Sequence, residues 1–179
     1  MVTFHKNGEL QHVIVDDWIP MTRNGDGDEI PAFTRGGHDG KEMWPTILEK
    51  AYAKLYGSYK AIEAGKVHLA LADLIENGFP EQLALKSYKN NIKLLACKLR
   101  NLDKVQALMG AGSPEHELGD GATNEEGIVQ GHAYAILDVA DYQGEQLINL
   151  RNPHGRSDDT VEWNGSWADD SNKWTAKAK

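Results

Sequence analysis

Short alternating apolar runs open the chain: Val2 to His5, then Leu10 to Asp16, on either side of Lys6-Asn7-Gly8-Glu9. Asn-Gly tolerates positive φ at both positions of a tight turn, so this pattern predicts a β-hairpin. Asn24 to Asp39 is loaded with Gly and Asp, contains Pro31 and reads as a loop. The period then changes. Trp44, Ile47, Leu48, Ala51, Tyr52, Leu55 and Tyr59 fall three and four apart, which is one face of an amphipathic helix. A shorter helical pattern runs from about Val67 to Glu76, with Asn77-Gly78 as its stop. Ile92 to Leu99 is a continuous apolar run with interspersed Lys, compatible with a buried strand or a helix end. Met109 to Gln130 is rich in Gly, Glu and Asp and reads as a long loop. Two further apolar runs, GHAYAILDV from Gly131 and QLINL from Gln146, flank a short turn at Asp141 to Gln146 and predict an antiparallel pair.

Composition narrows the class without choosing a function. A chain of 179 residues, 40% hydrophobic and 26% charged, can bury a core as one domain or parts of two. A net charge of −8 argues against nucleic acid as a partner, and the lysine-rich end, Lys173 to Lys179, reads as a solvated terminus. No apolar run approaches the ~18 residues of a membrane span, and MVTFHKNG has no apolar signal-peptide core, so a cytoplasmic location is expected. One cysteine cannot build an internal disulfide framework, which agrees.

The predicted antiparallel pair carries the candidate chemistry. His132 stands at the start of its first run and Asn152 at the end of its second, so the hairpin would bring them together. A catalytic imidazole must be held in one tautomer and direction by a third group, and an Asn side-chain carbonyl can do this. Each has a plainer reading alone: a satisfied histidine at a strand edge, and an Asn-Pro turn. Their pairing is what makes the catalytic reading sharp.

In their order, GHAY, RNPxG and EWxGxW resemble the His and Asn half of the calpain family of calcium-dependent, papain-like cysteine proteases. Met43 to Tyr59 is similar to that family's long helix and Val13 to Pro20 to the strand before it. The resemblance implies an α+β fold, a papain-like calpain core fragment of antiparallel sheet with a few helices. It places residues 1–65 in the end of the Cys-bearing lobe and 66–179 in the His/Asn lobe, truncated at its C-terminus, and favours a strand for Ile92 to Leu99. The implied parent activity is intracellular proteolysis by a thiol protease, a hydrolase acting on internal peptide bonds. His132 would be base and acid, Asn152 its orienter, and substrate would be met through the Cys lobe. The rival reading is a non-catalytic calpain-like module for protein interaction.

The family's nucleophile lies in a GxCWF-like motif that precedes every segment matched here. Cys97, the only thiol, lies in NIKLLACKLRN, without a Gly-rich turn or neighbouring His to activate it, and is expected to be a buried structural Cys. The isolated chain is therefore expected to be inactive. His154 stands where the family usually carries a Trp that shields the His–Asn hydrogen bond, and an imidazole covers less apolar surface. For calcium, the resemblance points to Glu162 and Asp169 in one site and Glu42 in another, both incomplete. Calcium takes six to eight oxygens, so tight binding by this chain is not expected. Asp26-Gly27-Asp28 lacks the spacing and terminal Glu of an EF-hand loop. Trp163, Trp167 and Trp174 read as packing or interface aromatics, and as a sticky patch where left uncovered.

Overall fold

The computed structural model describes residues 1–36, 42–76, 78–115, 122–153 and 162–175. The chain forms two compact units, Met1–Glu81 and Gln82–Lys179. Their junction falls some residues beyond the lobe limit at residue 65 that the resemblance implies.

In the first unit, β1 (Val2–Lys6) and β2 (Glu9–Val13) pair antiparallel from Val2 opposite Val13 to Lys6 opposite Glu9. The two-residue turn is the one the sequence predicts, with Asn7 at φ 55° and Gly8 at φ 80°. The helix α1 (Trp44–Tyr56) begins with a proline in its first turn and stops at Gly57. That glycine, at φ 99°, returns its N–H to the Lys54 carbonyl. Its apolar stripe of Leu48, Ala51, Tyr52 and Leu55 covers the hairpin, enclosing Phe4 and Val13. Phe4 is fully buried, and such a side chain contributes about 1.5–3 kcal/mol. A second helix, α2 (Val67–Leu74), carries Asp73 into contact with the hairpin. Its carboxylate, almost wholly buried, accepts from the Tyr52 and Tyr56 hydroxyls at 3.0 and 2.5 Å and pairs with Lys6 Nζ at 3.1 Å. That network ties β1, α1 and α2 together. Burial, with the nearby Asp73 carboxylate, holds the Tyr52 phenol well above its ordinary pKa.

The expected loop at Asn24 to Asp39 contains structure that its Gly and Asp content concealed. Strands β3 (Met21–Arg23) and β4 (Glu29–Pro31) form a small hairpin with Pro31 at its end. Its acidic turn is closed by Asn24, whose Oδ1 accepts the N–H groups of Asp26 and Asp28 at 3.0 and 2.8 Å.

In the second unit the run expected as a strand is the helix α3 (Ile92–Lys104). Local chemistry decides this: the Asn91 side chain caps the Leu94 N–H at 3.1 Å, and Leu95, Ala96, Leu99 and Leu102 line one face at helical spacing. The remaining apolar residues of the run, Ile92 and Leu94, are left outside. Ile92 is exposed as the first residue of the helix, whereas Cys97 lies with Leu94 on the side opposite the buried stripe and is exposed, against the expectation of a buried thiol; Asn101 Nδ2 lies 3.9 Å from its sulfur. A strand, β5 (Met109–Gly112), opens the segment read as a long loop, and it pairs with β6 (Ala133–Tyr142). The third strand, β7 (Glu145–Arg151), returns along β6 after a turn with Gln143 at φ 53° and Gly144 at φ 82°, giving the antiparallel order β5-β6-β7. Arg100 on α3 pairs with Asp141 on β6 at 3.1 Å. The architecture is α+β, with three α-helices and small antiparallel sheets among the described residues, as expected.

Candidate active site

The end of the β6–β7 hairpin remote from its turn holds the two residues singled out from the sequence. His132 precedes β6, just after Gly131 at φ 62°, and Asn152 follows β7. Their side chains meet: His132 Nε2 lies 2.9 Å from Asn152 Oδ1, both half-buried. A carbonyl oxygen only accepts, so Nε2 carries the hydrogen and, in the neutral ring, Nδ1 carries the lone pair. Tyr134, two residues on and therefore on the same face, sets its ring perpendicular to the imidazole at 5.0 Å between centroids.

A simple hairpin does not produce this meeting. Near the turn Tyr142 faces Glu145, and an unbroken ladder counted from there would set Asn152 opposite Ala135. Ala135 points away from the face of Tyr134 and His132, so the amide would lie on the wrong side of the sheet. The ladder instead shifts between Ile136 and Asp138, where Leu137 has no partner. This β-bulge sets Ala135 opposite Arg151, and the same register carries Asn152 to the position opposite Tyr134, diagonal to His132. Burial shows the same change of phase: Tyr134 and Ile136 turn inward before the bulge, Val139 after it, and Leu137 is 53% exposed. The sequence carries a trace of this, because inward-facing apolar residues separated by an odd number break strict alternation.

The other expected residues do not converge on this pair. Glu42 is exposed before α1, in the first unit. Glu162 and Asp169 are exposed in the second. Glu162 belongs to a segment docked on the turn capped by Asn124: Asn164 N–H donates to the Glu126 carbonyl at 3.0 Å, and a Cβ on Gly127 would come within 2.0 Å of the Glu162 carbonyl oxygen. Among the described residues, no three of His, Cys, Asp and Glu gather closely enough to hold a metal ion. Glu42, Glu162 and Asp169 are thus not gathered among the described residues into the six-to-eight-oxygen cage that calcium takes. His154 lies outside the described residues.

The tryptophans behave as packing. Trp167 and Trp174 meet edge to face at 5.0 Å, Trp174 Nε1 donates to the Ala168 carbonyl at 2.7 Å, and Tyr142 packs on Trp167. Trp163 donates to the Ser166 carbonyl and lies against Gly165, where a Cβ would strike its ring.

A family model described as calpain family cysteine protease matches residues 1–179. A calpain-type cysteine protease of Oryza sativa subsp. japonica is 43% identical over 182 residues, covering 99% of this chain and 8% of that protein. One of Zea mays has the same identity and coverage. Calpain-9 of Homo sapiens is 33% identical over 176 residues, covering 96% of this chain and 24% of that protein. The chain thus spans a quarter or less of these relatives' length.

Proposed function

From the chain's membership in the calpain family of cysteine proteases, we propose that it supplies the imidazole and amide of a thiol-protease active centre. His132 is the base that takes the thiol proton at Nδ1 and later returns it to the leaving amine; Asn152 holds Nε2–H so that Nδ1 faces the reaction. The observation that carries this reading is the 2.9 Å contact between His132 Nε2 and Asn152 Oδ1. In the whole protein the product would be a cleaved internal peptide bond, formed through a thioester on a cysteine within a GxCWF-like motif.

Cys97 is not that cysteine in our reading. It stands exposed on α3, remote in sequence from both members of the pair, with an Asn as its recorded polar neighbour. We assign residues 1–65 to the end of the Cys-bearing lobe and 66–179 to the His/Asn lobe, and place the protein in the cytoplasm. No helix among the described residues is long and apolar enough to cross a membrane. Calpains are calcium-regulated as a family; Glu42, Glu162 and Asp169 would be partial contributors whose remaining oxygens must come from elsewhere.

The test joins a calpain-family segment that carries a GxCWF motif ahead of Met1 and follows casein hydrolysis. Turnover should appear in the chimera, vanish in His132→Ala and be untouched by Cys97→Ala, while the 179-residue chain alone turns over nothing. Hydrolysis by the chain alone that disappears with Cys97→Ala would overturn the reading.

A further inference from the structure

The backbone of His132 is held by a side chain. At the end of β5 the ladder should continue beyond Gly112 opposite Ala133 to Ser113 opposite His132. One half of that pair is regular, with Ser113 N–H donating to the His132 carbonyl at 2.9 Å. The other half is replaced: His132 N–H donates to the Ser113 hydroxyl oxygen, also at 2.9 Å. The same hydroxyl donates to the Val129 carbonyl at 2.7 Å, with the His132 carbonyl 3.1 Å away. Val129 is fixed from its other side as well, since its N–H donates to the Tyr134 hydroxyl at 2.9 Å. A hydroxyl can accept and donate at once, which a backbone carbonyl cannot, so Ser113 links the strand β5, the approach at Val129 and the histidine through one atom.

We infer that Ser113 is a positioning residue for the imidazole of His132, an inference that rests on the His132–Asn152 pair being the proposed catalytic one. Gly131 gives the chain freedom just before His132, and His132 itself lies outside the β6 ladder. The two hydrogen bonds to Ser113, one on each side of the His132 Cα, remove the rotation that freedom would allow. Tyr134 is the second support: its hydroxyl holds Val129 while its ring stands against the imidazole. The ring's aim at Asn152 therefore depends on a residue nineteen positions earlier, just past the end of β5.

The experiment uses the 179-residue chain, labelled with 15N, and reads two signals: amide exchange at His132 and the tautomer of its ring. In the unaltered chain the His132 amide should be protected and the ring should hold its proton at Nε2. Ser113→Ala should speed amide exchange at His132 by about tenfold, the loss of the hydrogen bond from its N–H to the Ser113 hydroxyl, and should give a mixture of ring tautomers. Ser113→Thr, which keeps the hydroxyl, should restore both. An unprotected His132 amide in the unaltered chain overturns the inference without any variant, which covers the case of a Ser113→Ala chain that fails to fold. A Ser113→Ala chain with unchanged exchange and a single Nε2–H tautomer also overturns it. Asn152→Ala separates the two levels: if it leaves the tautomer unchanged, the catalytic pair itself is wrong. If it scrambles the tautomer while Ser113→Ala does not, only the role of Ser113 is wrong.

Discussion

Removing Leu137 should cost the second unit little, although it shortens the central strand of the sheet by a residue. Leu137 is unpaired and 53% exposed, and its neighbours already pair with consecutive residues of β7, Ile136 with Leu150 and Asp138 with Asn149. The shortened strand can close into a regular ladder with Tyr134, Ile136 and Val139 still inward and Asn152 still opposite Tyr134. The apolar burial lost is that of a half-exposed side chain, about 1 kcal/mol. Deleting Ala140 instead makes the contrast. To keep the His132–Asn152 meeting, that strand would have to flatten its bulge, which turns Val139 outward and Asp138 inward. Val139 is 7% exposed, so this forfeits roughly 1.5–3 kcal/mol of burial and adds the desolvation of a carboxylate, at least ~1–3 kcal/mol more. Amide hydrogen exchange at β6 residues measures both effects in this sheet separately from the Met1–Glu81 unit. The expected outcome is near-parental protection and an intact His132–Asn152 hydrogen bond without Leu137, against a loss of several kcal/mol without Ala140. Equal damage from the two deletions, or loss of the hydrogen bond without Leu137, would refute the register argument.

The remaining expectations concern the first unit and calcium. The Tyr52 phenol has a raised pKa in the fold, so the folded state holds its proton more tightly than the unfolded chain does. The associated stability is complete below the ordinary phenol value of ~10 and is lost as pH rises beyond it; the stability gap between the parent and Tyr52→Phe should therefore stay constant up to that pH and shift against the parent only above it. Asp73→Ala removes the shared acceptor of Lys6, Tyr52 and Tyr56 and should cost about 2–3 kcal/mol in urea denaturation. That is below the cost for a fully buried pair, because Lys6 keeps some solvent; a loss under ~0.5 kcal/mol would show that the network does not hold α2. Calorimetric titration with calcium at physiological salt should show no saturable micromolar site, and a one-site isotherm abolished by Glu162→Gln would prove the donor set sufficient.

The residues that declare themselves in the sequence are those governed by local rules. Asn7-Gly8 dictates its turn because few other pairs accept positive φ twice, and the stripe from Leu48 to Leu55 dictates α1 because its period has no strand reading. His132 and Asn152 were legible through their motifs and the hairpin between them, but how they share a face was not. That depends on one unpaired residue, Leu137, in a run where apolar residues sit on both faces. The run around Cys97 reads as a strand because Leu94 and Cys97 place apolar side chains opposite the buried stripe of α3; the cue that favours a helix is the Asn91 cap. Ser113 carried no signal, since a serine at a strand end has meaning only once its partners at Val129 and His132 are known.

The most direct test of the central claim, that this chain holds His132 ready for acid–base work through Asn152, is the 15N spectrum of the His132 ring near neutral pH. The account predicts that the neutral form of the ring carries its proton on Nε2, in a hydrogen bond to the Asn152 side-chain carbonyl, and that Asn152→Ala gives a mixture. A neutral ring protonated at Nδ1 in the unaltered chain, or a spectrum indifferent to Asn152→Ala, would contradict it.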